Sequence, residues 1–385
     1  VATAKVGTDQ RRLRRSSTIA GVGDGVVAVA LPLLAANLTH DPLAVAAVIA
    51  AQHLPWALVH VGWRFLRWDR RTLIGSVDTG RALVLGLIGF LSLIGRETIL
   101  GIQLAAFVVG LGEALTDGTE TETGDVSGLS TRGMVGLAVV GLPLGGVLYE
   151  IYPATPFLFE VLAFAVAALF ALLVRRPVVP PHVEADETPP PPRALIPGTG
   201  AVTISAALAA VATSAVLGVL VLFALEDLGL GAPAFGALLA GLALATAAGG
   251  FVAPEVGTAL GLKPGLVVAA AVAAAGYATA SQVADPDKPL AGALALGVAA
   301  GSGMIVAVLT RALLQRNAGR AVTGPVLQRF HLAVWSAIPV GALAGGWLAR
   351  RTSVHEVLLL STVAWAGAAI AALLAQPAEK SSEFV

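Results

Sequence analysis

The chain has 385 residues, 56% hydrophobic and 12% charged, and its 24 basic and 24 acidic side chains cancel to a formal net charge of zero. Soluble domains carry about a quarter of their residues as charge, so this chain holds too little to cover a water-facing surface, and lipid is the solvent its composition fits. Zero net charge gives no field to recruit nucleic acid, and the absence of Cys removes disulfides, thiolate metal sites and cysteine nucleophiles together.

The amino-terminal stretch is polar and basic, with Arg11, Arg12, Arg14 and Arg15, and runs into a long apolar segment without a small-residue cleavage site. An anchored first helix is expected there, not a removed signal peptide. Crossing a hydrocarbon core of about 30 Å takes roughly 20 apolar residues at the helical rise. Segments of that kind fall near 17–37, 43–64, 77–95, 98–117, 127–149 and 155–174, and again near 199–225, 233–254, 264–284, 289–310, 324–348 and 354–376. Between the two sets, Arg175 to Gly198 holds an Arg-Arg-Pro step, the acids Glu184, Asp186 and Glu187, and the run Pro189 to Pro192. Consecutive prolines cannot be helix and predict an extended, solvated linker. The expected plan is an all-α integral membrane protein of about twelve spans: a six-helix bundle over 1–174, a linker over 175–198, and a second bundle over 199–385.

Orientation follows from the basic residues. With the amino terminus inside, only Arg96, Lys288, Arg350 and Arg351 of the 24 Lys and Arg residues fall in outer loops. Such asymmetry predicts a multi-pass protein of the cytoplasmic membrane with both termini cytoplasmic. The halves also echo each other. The fifth segment carries Gly141-Leu142-Pro143-Leu144-Gly145-Gly146, and the eleventh carries Pro339-Val340-Gly341-Ala342-Leu343-Ala344-Gly345-Gly346. Small residues let helix backbones approach closely, while repeated six-helix units are a recurrent plan of transporters; both readings fit.

Three passages, with the basic loop after the second segment, carry a resemblance. They are Gly23-Asp24-Gly25 followed by Ala30-Leu31-Pro32-Leu33-Leu34, then Gly110-Leu111-Gly112-Glu113 with Asp117, then Arg316-Asn317-Ala318-Gly319-Arg320. Together with the six-plus-six plan they resemble the major facilitator superfamily, most of all its drug- and siderophore-exporting proton antiporters. In the loop between segments 2 and 3, Gly62, Arg67, Arg70 and Arg71 fit the family signature. Leu66 stands where its aspartate belongs, and Asp69 comes three residues late. In the fifth segment Gly141, Gly145 and Gly146 match the exporter signature, with Leu142 in place of the first proline and Pro143 after it. The resemblance implies gating by this element and a latch in which an acid of segment 4, here Asp117, pairs with arginines of the loop, here Arg71 with Arg67 and Arg70.

Ionisable groups inside spans cost several kcal/mol unless paired or hydrated. Asp24 sits between two glycines, and burial disfavours its charged form. It is either a proton site or a structural carboxylate bonded to nearby helix ends. Glu113 and Asp117 share a helix face, at the depth expected for Arg70, Arg71 and Arg81. Glu113 is a second proton site or a further latch partner. Glu160 reads as a lipid-interface or helix–helix contact, Arg329 as a snorkelling cation, and His331 as a titrating or structural histidine. The resemblance places substrate near the midplane, among segments that offer Gln52, His53 and Trp56; Gln103 and Phe107; Thr213 and Ser214; Ser302 and Met304; Trp335 and Ser336. Each also reads as helix packing. Such an apolar wall with few hydrogen-bonding groups suits an amphipathic or lipophilic small molecule. No phosphate loop, catalytic triad or metal-ligand spacing is present in the sequence, so neither enzyme chemistry nor a cofactor is expected. The anticipated partners are a small-molecule substrate, protons and the lipid bilayer, in a monomer.

Overall fold

The computed structural model describes residues 2–62, 70–120, 136–172 and 199–374. Among these every regular element is helical, as a lipid setting demands: only a helix or a closed barrel satisfies its own backbone hydrogen bonds without water. In chain order the helices are α1 (Ala2–Leu38), α2 (Pro42–Gly62), α3 (Arg70–Leu93), α4 (Ile99–Glu120), α5 (Leu142–Ile151) and α6 (Thr155–Leu172). The second set is α7 (Thr199–Leu222), α8 (Ala232–Leu260), α9 (Leu262–Val283), α10 (Pro289–Arg351) and α11 (Val354–Leu374). Eight helical stretches among the described residues are long and apolar enough to cross a membrane. Four shorter apolar stretches, Thr79–Leu93, Ile99–Leu115, Val139–Ile151 and Thr155–Val166, fill the remaining expected positions.

The expected tenth and eleventh segments are joined in one helical run of 63 residues. It carries two candidate spans, Pro289–Asn317 (α10a) and Val326–Arg351 (α10b). A straight rod would separate Leu314 from Val326 by about 18 Å at 1.5 Å per residue. Both instead join one buried cluster with Val202, Ala206 and Phe330, so the run is not a single rod. Two π-helical turns interrupt the regular helices. One, Gly136–Gly141, ends two residues before Pro143. Proline has no N–H to donate and its ring crowds the carbonyl four residues back, which favours a wider turn there. The other, Phe223–Asp227, ends α7. That end is closed by Gly229 at φ +61° and by the Leu230 N–H donating to the Ala224 carbonyl at 2.9 Å, a left-handed glycine cap that satisfies an otherwise orphaned carbonyl.

The chain packs as two compact units, Val1–Asp186 with Ala224–Gly241, and Glu187–Phe223 with Leu242–Val385. Within the first, α1 packs on α6 and on the α5 region, α2 on α4, and α3 on α4 and α6. Within the second, α7 packs on α10 and α11, and α9 on the same two helices. Glycines make the closest approaches, as expected where lipid removes the usual hydrophobic drive between helices. A Cβ built on Gly145 would lie 2.7 Å from the Val26 carbonyl oxygen of α1, and one on Gly345 would lie 2.7 Å from Cα of Ala215 in α7. Gly141 meets Val22, and Gly341 meets Val211, in the same way. The repeat visible in the sequence is therefore a repeat of contacts: α5 on α1 in one half, α10b on α7 in the other.

Candidate functional site

A knot of ionisable side chains lies inside the first unit. Arg81 of α3 is only 5% exposed and forms an ion pair with Asp24 of α1. Its guanidinium lies 4.9 Å from the centre of the Phe164 ring of α6, an apolar and cation–π face. Gly112 of α4 leaves room for its aliphatic stem, since a Cβ there would collide with Arg81. Two more carboxylates act on it electrostatically, Glu113 of α4 and Glu160 of α6. Glu113 accepts a hydrogen bond from the Gln52 amide of α2 at 3.4 Å. Glu160 is fully buried and packs on Gly23, where any side chain would displace it. One cation thus faces three acids in a region where each charge is costly. Asp24 retains 26% side-chain exposure against 6% for Arg81, so the carboxylate is the more accessible member of the pair.

The sequence marks Asp24 and Glu113, places Arg81 with the loop cations and reads Glu160 as a lipid-interface or helix–helix contact, of which the second describes its packing on Gly23. Arg81 is instead a buried interhelical counter-ion. The available signal was position: Arg81 lies at the edge of an apolar stretch, and a cation inside a membrane requires an acid. The latch expected from the family resemblance cannot be traced, because Arg67 and the side chains of Arg70, Arg71 and Asp117 lie outside the described residues. The glycine element is placed fully. Gly141 and Gly145 seat α5 on α1, whereas Gly146 faces Ala232 and Pro233 at the start of α8, and Gly236 of that helix packs against Leu142. Pro143 stands in the first turn of α5.

The residues expected to line a substrate path are mostly engaged in holding helices. The Gln103 amide donates to the Ala44 carbonyl at 3.0 Å, tying α4 to α2. The His53 ring lies 2.9 Å from the Ile49 carbonyl of its own helix. Ser214 donates to the Ala210 carbonyl at 2.7 Å and meets Gly341 of α10b, while Thr213 faces Tyr277 of α9. Met304 packs beside Gly250 of α8, and Ser302 is buried. Trp56, Phe107, Trp335 and Ser336 are half-buried.

No known family's sequence profile and no curated protein sequence matches the chain. Solved structures do match. The crystal structure of a bacterial homologue of the iron transporter ferroportin, in an inward-facing state, has a TM-score of 0.76 and 15% identity, covering 96% of this chain and 98% of that one. The nucleoside transporter NupG gives a TM-score of 0.73 at 12% identity, covering 95% of this chain and 98% of its own. A bacterial homologue of the human lysosomal transporter Spinster gives 0.68 at 13% identity, covering 94% and 95%. At these identities the likeness establishes the fold. The chain has the major facilitator fold of two pseudo-symmetric six-helix bundles, matched over nearly its whole length.

Proposed function

We propose that this chain is a secondary transporter of the cytoplasmic membrane, with both termini cytoplasmic, exporting a small amphipathic or lipophilic molecule in exchange for protons by alternating access. The observation that carries the reading is the half-exposed carboxylate of Asp24 paired with a sealed arginine inside a membrane bundle. Neutralising Asp24 removes the reason for Arg81 to stay in place, so proton or cargo binding is linked to a change in helix contacts. Glu113, one helix away, is the second proton group. The elements 1–174 and 199–385 act as the two moving halves, joined by the 175–198 tether, with gating at Gly141, Pro143, Gly145 and Gly146 and at the proposed latch of Asp117 with Arg67, Arg70 and Arg71. The cargo path draws on the polar and aromatic residues named above.

The test is flux of ethidium, a lipophilic cation, in proteoliposomes with and without an imposed pH gradient, for the native chain and for Asp24→Asn. Gradient-driven efflux that the substitution abolishes, with folding intact, supports the proposal; flux indifferent to both sinks its proton part. An uncoupled facilitator or importer is the second reading, favoured by Leu66 in place of the family's loop aspartate. It is distinguished by counterflow that needs no gradient. The ferroportin and nucleoside relatives in fold make Co²⁺ and uridine the next probes. A chain that moves none of these, in either direction, would instead be a membrane sensor or scaffold.

A further inference from the structure

The two halves close the same helix junction with different chemistry. Val22 and Val26 of α1 receive Gly141 and Gly145, and Val211 and Ala215 of α7 receive Gly341 and Gly345. Asp24, midway between its pair, therefore corresponds to Thr213. Glu160 of α6 packs on Gly23. In the other half, Ser361 of α11 donates to the carbonyl of Ala212, the counterpart of Gly23, at 3.0 Å. Glu160 thus corresponds to Ser361 and, one helical turn on, Phe164 to Trp365. Arg81 reaches the Phe164 ring as Tyr277 of α9 reaches Trp365. A Cβ on Gly112 of α4 would collide with Arg81, and one on Gly303 of α10a would lie beside the Trp365 ring at 3.5 Å, in ordinary contact. The junction is built once from Asp, Arg and Glu and once from Thr, Tyr and Ser.

The neutral version shows that packing these helices requires no charge. Burying ions carries a desolvation penalty that a neutral set avoids, so the charged version has another task. Facing Arg81 of α3 are Asp24 from α1, Glu113 from α4 and Glu160 from α6. From α2 comes the neutral Gln52, bonded to Glu113, while the His53 ring is engaged with Ile49; α5 presents glycines. Among the described residues Arg81 Nε makes no hydrogen bond, so a buried donor remains available beyond the Asp24 pair.

We infer that Glu160 is a positioning residue, the alternative counter-ion of Arg81: when Asp24 is neutralised by a proton or a cationic cargo, the guanidinium passes from α1 to α6. This rests on the reading of Asp24 as the coupling group. Transfer between two carboxylates keeps the cation compensated in both states, and it shifts a tie from the α1–α3 contact to the α3–α6 contact. Glu113 remains within the same field and moderates the exchange.

The test is a double-mutant cycle on the full chain in lipid nanodiscs, read by thermal melting. Asp24→Asn and Glu160→Gln should each fold, because Arg81 keeps two of the three acids that face it. Asp24→Asn/Glu160→Gln should lose far more melting temperature than the two singles summed, up to loss of the monodisperse species, and adding Arg81→Gln should restore it. As pH falls, Glu160→Gln should lose melting temperature relative to the native chain, because neutralising Asp24 then leaves Arg81 without a counter-ion on α6. Glu160→Asp should follow the native profile, which a space-filling role would not require. An additive cycle, a double mutant that Arg81→Gln fails to rescue, or an acid profile of Glu160→Gln parallel to the native one overturns the inference. An additive cycle in a protein whose ethidium flux still follows the pH gradient removes Glu160 alone. Flux indifferent to the gradient removes the coupling reading on which the inference depends.

Discussion

Adding one methyl group at Gly145 should destabilise the protein measurably. The new Cβ would lie 2.7 Å from the Val26 carbonyl oxygen, 2.9 Å from Val26 Cα and 3.1 Å from Val29 Cβ, against an ordinary carbon contact of about 3.5–4.0 Å. Two of those neighbours are backbone atoms of α1, so no side chain can rotate away, and α5 must retreat by roughly half an ångström to one ångström. Overpacking of this kind costs about 1–3 kcal/mol. Alanine recovers about 0.5–1 kcal/mol through its better helix propensity, which leaves a net loss of up to about 2.5 kcal/mol out of a typical total of 5–15 kcal/mol. The assay is thermal melting of Gly145→Ala beside Gly241→Ala. Gly241 also sits in a helix, but a Cβ there meets nothing within 4 Å, so the control keeps the propensity gain without the collision. Gly145→Ala should melt lower than native and Gly241→Ala at or above it. Equal melting temperatures for the two variants would refute the argument that backbone contact seats α5 on α1.

By the same reasoning Gly345→Ala, whose Cβ would lie 2.7 Å from Cα and 2.8 Å from the carbonyl carbon of Ala215, should lose a similar amount, measured in the same melt. Tyr277→Phe removes the hydroxyl that faces Thr213 and Trp365 and should cost about 1 kcal/mol, visible as a lowered melting temperature without any change in transport coupling. Gly112→Ala displaces the stem of Arg81, a flexible chain that can yield; it should reduce pH-driven ethidium flux more than it reduces melting temperature. Since the chain has no Cys, an engineered thiol is unique. Val363→Cys, at a position central in α11 and 64% exposed, should resist a charged maleimide in liposomes and react once SDS unfolds the protein, whereas Thr352→Cys, exposed after α10b, should react at once if its loop faces the reagent. Rapid labelling of Val363→Cys in intact liposomes would contradict a lipid-facing α11.

The parts of this fold legible in the sequence are those that a single helix declares by itself. A run of about 20 apolar residues names a span wherever it occurs, and the glycine spacing of the fifth segment reappears in the eleventh because both helices solve the same problem of backbone contact. The break expected between residues 310 and 324 is absent as a gap in helix: Arg311 to Arg316 are good helix formers, and polarity alone does not stop a helix. The charged knot was only half legible. Asp24 announces itself as an acid between glycines in an apolar run. Its partner lies 57 residues away on another helix, and no local period links the two. Arg81 looked like the last cation of a basic loop because several arginines precede it. Glu160 reads as incidental because a lone acid in the sixth segment is accounted for by a lipid-interface or helix–helix contact. What separates an incidental acid from a member of a cluster is the glycine on the facing helix, here Gly23, which admits a carboxylate where any larger residue would exclude it. The Gly-Asp-Gly of α1 therefore serves two neighbours: Asp24 meets α3, and Gly23 admits the carboxylate of α6. That double use ties Asp24, Arg81 and Glu160 into one unit, whereas in α7 Ala212 meets Ser361 and Thr213 meets Tyr277, both neutral.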